Sequence, residues 1–111
     1  MGKYSPLKQY FLGLDQAKIR LSFGDIAKII GDSLPKSAYS YRSWWGNHSY
    51  NSQAKAWLGA GFQVEELDLS SQSVLFLDDQ YRRELRLGEV ASRLEAISGE
   101  LNKILRLLGH K

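Results

Sequence analysis

The chain has 111 residues, 43% of them hydrophobic and 24% charged, with a net charge of +3 and no cysteine. That is enough for one core plus a helical appendage, and the composition is that of a globular rather than a disordered protein. The missing cysteine excludes a disulfide scaffold, a thiolate metal site and a cysteine nucleophile, and no apolar run is long enough to cross a bilayer.

In chain order, Ser5-Pro6 is a helix-start pair, a capping hydroxyl and a proline suited to the first helical position. Leu7, Tyr10, Phe11 and Leu14 follow at helical spacing and predict a first helix ending between Gly13 and Asp15. Lys18 to Ser22 alternates polar and apolar residues, as a half-buried strand does. Ser22 with Asp25 reads as a capping box, and Phe23, Ile26, Ala27 and Ile30 form the apolar face of a helix stopped by Gly31. After the turn at 32–35, Ala38, Tyr41 and Trp45 recur at helical spacing up to the breaker Gly46-Asn47. A further helix from about Tyr50 carries Ala54, Trp57 and Leu58 and ends at Gly59 to Gly61.

From Phe62 to Leu69 the apolar alternation slips phase at Glu65-Glu66, which suits a bulge. The polar turn from Ser70 to Ser73 and the run Val74 to Leu77 complete a hairpin. Asp78-Asp79 then caps a last helix, 79–109, in which Leu87, Val90, Leu94, Ile97, Leu101, Ile104 and Leu108 follow at intervals of three and four. Such a seam is expected to pack on a second copy, giving a dimer as first choice and a tetramer as second. The expected fold class is therefore α+β, mainly helical: a winged helix-turn-helix domain followed by a long C-terminal oligomerisation helix.

The segment from Lys36 to Phe62 holds all three tryptophans, and no acidic residue occurs between Asp32 and Glu65. Uncompensated positive charge beside amides, hydroxyls and aromatics suits phosphates and base edges, so the expected partner is double-stranded DNA. Arg42 has the geometry to pair with guanine or hold a phosphate, and Asn47 and Gln53 have the amide that reads adenine. Lys36, Ser37, Ser43, His48, Ser52 and Lys55 complete the candidate surface, with Ser71 and Gln72 at the wing tip lying along the DNA backbone or minor groove. Asn47 reads equally well as a left-handed turn residue after Gly46, and Ser43 and His48 as capping residues. Trp57 and Trp45 are assigned to the core; Trp44 is either a stacking surface or a lid.

No catalytic constellation is evident. His48 and His110 have no carboxylate or third ligand at metal spacing, and no phosphate-cradling glycine loop or nucleophile elbow occurs. The expectation is a protein that is not an enzyme and uses no cofactor or metal. The N-terminus lacks a signal-peptide core, which leads to a cytoplasmic, nucleoid-associated protein with no membrane partner.

Tyr4-x-Pro6-Leu7, Leu21-x-Phe23-x-x-Ile26, Leu34-Pro35-x-Ser37-Ala38, Trp44-Trp45-x-Asn47, Gln53-Ala54-x-Ala56-Trp57, Gly61-Phe62-x-Val64 and Val74-x-Phe76 together resemble a small bacterial domain family of unknown function. That family occurs alone or attached to restriction-endonuclease-like and other defence-associated proteins. The likeness covers residues 4–77, and it implies a nucleic-acid-binding domain there that does no chemistry itself. The family usually has a basic residue after the Val-x-Phe run, where this chain has Leu77-Asp78-Asp79. The expected function is sequence- or shape-selective binding of double-stranded DNA by a small oligomeric transcriptional regulator or DNA-architectural protein. A protein-interaction module and a binder of single-stranded nucleic acid are the alternatives.

Overall fold

A computed structural model describes residues 2–109; the chain-end His110 lies outside them. The elements are α1 (Ser5–Leu12), β1 (Lys18–Ser22), α2 (Phe23–Ile30), α3 (Lys36–Ser40), a 3-10 turn (Arg42–Trp45), α4 (Ser52–Gly59), β2 (Phe62–Asp68), β3 (Ser73–Asp78) and α5 (Asp79–Gly109). The fold is α+β, with five helices, a three-stranded antiparallel sheet in the order β1-β3-β2, and a long C-terminal helix. The chain divides into two compact units between Tyr81 and Arg82.

In the first unit β3 is the central strand, and Val74, Leu75, Phe76 and Leu77 are all buried, as a strand covered on both faces requires. The β2–β3 hairpin slips register between Val64 and Glu66, which places a bulge where the alternation slips in the sequence. A chain of aromatic contacts crosses the core: Phe23 stacks on Trp45 at 4.7 Å, Trp45 lies parallel to Trp57 at 6.1 Å, and Trp57 meets Phe76 at 5.5 Å. Phe11 of α1 then joins Phe76 and Phe62, each at 4.8 Å. Helix, turn and sheet are thus held by one continuous set of rings.

The capping box at Ser22 is present in both directions: the Asp25 N–H donates to Ser22 Oγ at 2.9 Å, and the Ser22 N–H donates to Asp25 Oδ2 at 3.0 Å. Gly31 ends α2 with φ 72, a left-handed conformation that favours glycine. The hydrogen bonds from the Ser22 backbone and side chain hold the Asp25 carboxyl below the usual carboxylate range. A lowered folded-state pKa means that the box contributes stability above the ordinary carboxylate pKa and loses it as pH falls through the lowered value. Asp25→Asn is expected to remove that acid-sensitive component; thermal melts of the two proteins at neutral pH and near pH 3 check this, because their difference in Tm should shrink on acidification.

Two sequence expectations fail locally. Ser5 is not the N-cap of α1: Tyr4 occupies that position without a side-chain bond, and Ser5 Oγ instead accepts the Gly2 N–H at 3.1 Å. Nor does one helix run to Trp45. It breaks at Tyr41, whose extended backbone (φ -122, ψ 121) turns its ring out to 64% exposure. The cause lies in Trp45, whose Nε1–H donates to the Ala38 carbonyl at 2.8 Å. A continuous helix would offer that carbonyl to the N–H of residue 42. The indole takes the place of the backbone donor and pulls Trp45 into the core.

The second unit is the remainder of α5. All seven seam residues, Leu87 through Leu108, are between 51% and 78% exposed in the single chain. Among the described residues no helix is long and apolar enough to cross a membrane.

Candidate nucleic-acid interface

The loop that follows the 3-10 turn is fastened to the sheet by one side chain. Asn47 Nδ2 donates to the Val64 carbonyl at 3.0 Å, and Asn47 Oδ1 accepts both the Val64 N–H at 2.9 Å and the Trp57 Nε1–H at 3.0 Å. Strand β2 is at an edge of the sheet, and the Asn47 amide pairs with Val64 as a neighbouring strand would. Asn47 is exposed, but three of its amide's hydrogen bonds are made within the chain, and its backbone is not left-handed, so the turn reading does not describe it. The adenine-reading assignment of Gln53 is corrected. Gln53 is buried, and its Nε2 donates to the Trp44 carbonyl at 2.9 Å, so it holds the 3-10 turn against α4 and does not face outward. In the sequence both amides sit among polar residues beside a breaker, and no local signal separates an amide that replaces a backbone partner from one that meets solvent.

Trp44 is half-buried, edge-on to Trp45 at 4.6 Å and to Tyr4 at 6.1 Å, which is the lid arrangement. Six of the other candidates, Ser37, Arg42, Ser43, His48, Ser52 and Lys55, are distributed over three shallow hollows. Ser37, Ser43 and His48 line one of about 340 Å³ together with Tyr41 and Tyr50; His48 and Tyr50 stack at 5.1 Å. Arg42 lines a second with Arg20, Glu66 and Asp68, and its Nη2 donates to the Leu67 carbonyl at 3.2 Å, placing it near the turn end of the β2–β3 ribbon. Arg20 there is ion-paired with Glu66 at 3.1 Å, so the two arginines of this hollow face two carboxylates.

Ser52 and Lys55, at the start of α4, line the third hollow with Lys3, Lys8 and Ser5 of the N-terminal segment and α1. Its volume is about 440 Å³, and no carboxylate lines it. Lys3 reaches outward to Asp32 at 3.6 Å, whereas among the described residues Lys8 and Lys55 have no carboxylate partner. The Lys8 side chain lies across Gly59, where an added Cβ would come within 3.3 Å of its Cε. Lys3 and Lys8 are the residues that sequence reading missed. They precede the acid-free segment by some thirty positions and join it only through the packing of α1 on α4. On α1 Lys8 stands about 100° from Leu7 and about 60° from Phe11, at the border of the buried face.

The lysine hollow and the Ser37–His48 hollow flank the start of α4 on either side, with the Tyr4–Trp44 contact between them. Lys36 lies exposed at the start of α3, and Ser71 and Gln72 lie exposed in the ribbon turn; none of the three lines these hollows. In that turn Asp68 Oδ1 accepts the Ser71 N–H at 3.0 Å, and this bond holds the Asp68 carboxyl below its ordinary value. No group of three or more potential metal-ligating side chains occurs among the described residues.

A family model described as "Domain of unknown function (DUF7662)" matches residues 4–79. The chain belongs to the DUF7662 family. No curated protein and no solved structure matches it. The DUF7662 match covers the sheet, the aromatic core and the hollows except Gly2 and Lys3 of the lysine hollow, and it stops at the first residue of α5.

Proposed function

We propose that the chain binds double-stranded DNA as a small oligomeric transcriptional regulator or DNA-architectural protein. The observation that carries this reading is the carboxylate-free hollow of Lys3, Lys8 and Lys55, with Ser5 and Ser52 on its wall, beside the start of α4. Clustered ammonium groups and hydroxyls at a helix start suit backbone phosphates, which supply most of the affinity in DNA binding. The element order supports it: helix, strand, two helices, a further helix and a two-stranded ribbon, with sheet order β1-β3-β2, resembles a winged helix-turn-helix with an extra helical segment before the last helix of the domain. In this reading α3 and the turn after it face the major groove with Lys36, Arg42, Ser43 and His48, and the ribbon turn brings Ser71 and Gln72 to the backbone. The exposed seam of α5 joins two or more copies.

Titrating duplex binding against salt tests the proposal. Affinity should fall steeply as salt rises, and Lys8→Ala/Lys55→Ala should weaken binding on all sequences and reduce the log–log salt slope by about two. Duplex binding that is absent at low salt, or indifferent to salt, removes the reading. Tyr39, Tyr41 and Tyr50, exposed to 40%, 64% and 77%, favour a second one, stacking of unpaired bases. It requires single strands to outcompete duplex.

A further inference from the structure

We infer that α5 pairs with α5 of a second copy of this chain as an antiparallel two-stranded coil, in the register that sets Leu94 against the partner's Ile97. This rests on the self-association reading and not on the DNA reading. The seam residues are more than half exposed, and nothing within α5 itself covers them. What selects the orientation is the charge beside the seam. Its one flank carries Arg86, Arg93, Glu100 and Leu107, and its other carries Ala91, Ser98 and Leu105.

In a parallel coil opposite flanks meet, so Arg93 faces the partner's Ser98 and Glu100 faces the partner's Leu105; no charge finds its opposite. In an antiparallel coil like flanks meet. The register that aligns the seam then places Arg93 against the partner's Glu100, and the two-fold axis repeats the pair. On the other flank Ala91 meets the partner's Leu105, and Ser98 meets its own copy. Six of the seven seam residues set a leucine against a β-branched residue: Leu87 with the partner's Ile104, Val90 with the partner's Leu101, Leu94 with the partner's Ile97; Leu108 falls opposite the partner's Arg83. Leucine at the first seam position with isoleucine at the second shifts parallel coils from two strands to three or four, so the parallel alternative is a higher oligomer rather than a dimer.

The axis falls between Glu95 and Ala96, so the two copies of Arg82 emerge at opposite ends of the coil, about 40 Å apart at 1.5 Å of rise per residue. That spacing is close to one turn of duplex, about 34–36 Å.

The chain has no cysteine, so single labels are clean. Spin labels on full-length Ser92→Cys and Arg106→Cys, both outside the seam, should give an inter-label distance at least about 10 Å longer for position 106, because position 92 lies near the axis. Arg93→Glu should weaken self-association about tenfold, and Arg93→Glu/Glu100→Arg should restore it. Equal distances at the two positions, indifference to Arg93→Glu, a tetramer or a monomer by sedimentation would each overturn the inference. Salt-dependent duplex binding, measured on the same samples, reads the DNA proposal separately.

Discussion

Trp45→Ala is expected to remove most of the stability of the first unit. The side chain is 2% exposed and stands between Phe23 and Trp57 in the run of rings that joins α2 to the sheet. Truncating a buried tryptophan costs about 3–5 kcal/mol through lost contacts and the cavity left behind. The Ala38 carbonyl also loses its donor, worth a further ~1–3 kcal/mol if it stays dry. Against a total of about 5–15 kcal/mol for a domain, that leaves a marginal fold. Urea denaturation followed by near-ultraviolet circular dichroism measures it. Trp45→Phe, which keeps a ring but not the N–H, should fall between the two. A loss below about 1 kcal/mol for the alanine variant would mean that the rings do not organise the core.

Asn47→Ala comes second, at about 2–4 kcal/mol. It strips the Val64 N–H and C=O and the Trp57 Nε1–H of their partner at one stroke, and the indole nitrogen belongs to a residue with no exposure of its own. Asn47→Asp separates the parts: it keeps the acceptor for Val64 and Trp57 but cannot donate to the Val64 carbonyl, so its loss should be smaller than that of alanine at neutral pH. Chemical denaturation checks both. The outcome also distinguishes a structural amide from a base-reading one, because a base reader would lose duplex affinity with an unchanged midpoint.

The elements whose signals are local were legible from sequence. The capping box of Ser22 and Asp25, the stop at Gly31, the phase slip at Glu65 and the unbroken seam of α5 each follow from residues within a few positions of one another. What escaped was set by long-range hydrogen bonds. Ala38, Tyr41 and Trp45 fit a helical period, yet the indole of Trp45 reaches back to Ala38 and ends α3 early. Gln53 and Asn47 carry the right groups for a base edge, and only the fold shows them spent on Trp44, Val64 and Trp57. The lysine hollow was hidden for the converse reason: its cations come from opposite ends of the first 55 residues and meet through helix packing. Composition located the positive segment, but the packing of α1 on α4 decides where its charge is concentrated.

The ribbon turn is tied back to the helical layer. The Phe23 N–H, one of the donors that the first turn of α2 leaves without an intrahelical acceptor, donates to the Gln72 carbonyl at 2.9 Å, and Gln72 holds φ 55 to present it. The ribbon therefore cannot swing away without stripping the start of α2. Its tip is a fixed spur, and a binding partner that meets Ser71 and Gln72 meets a shape already in place, so little ordering entropy is lost on contact.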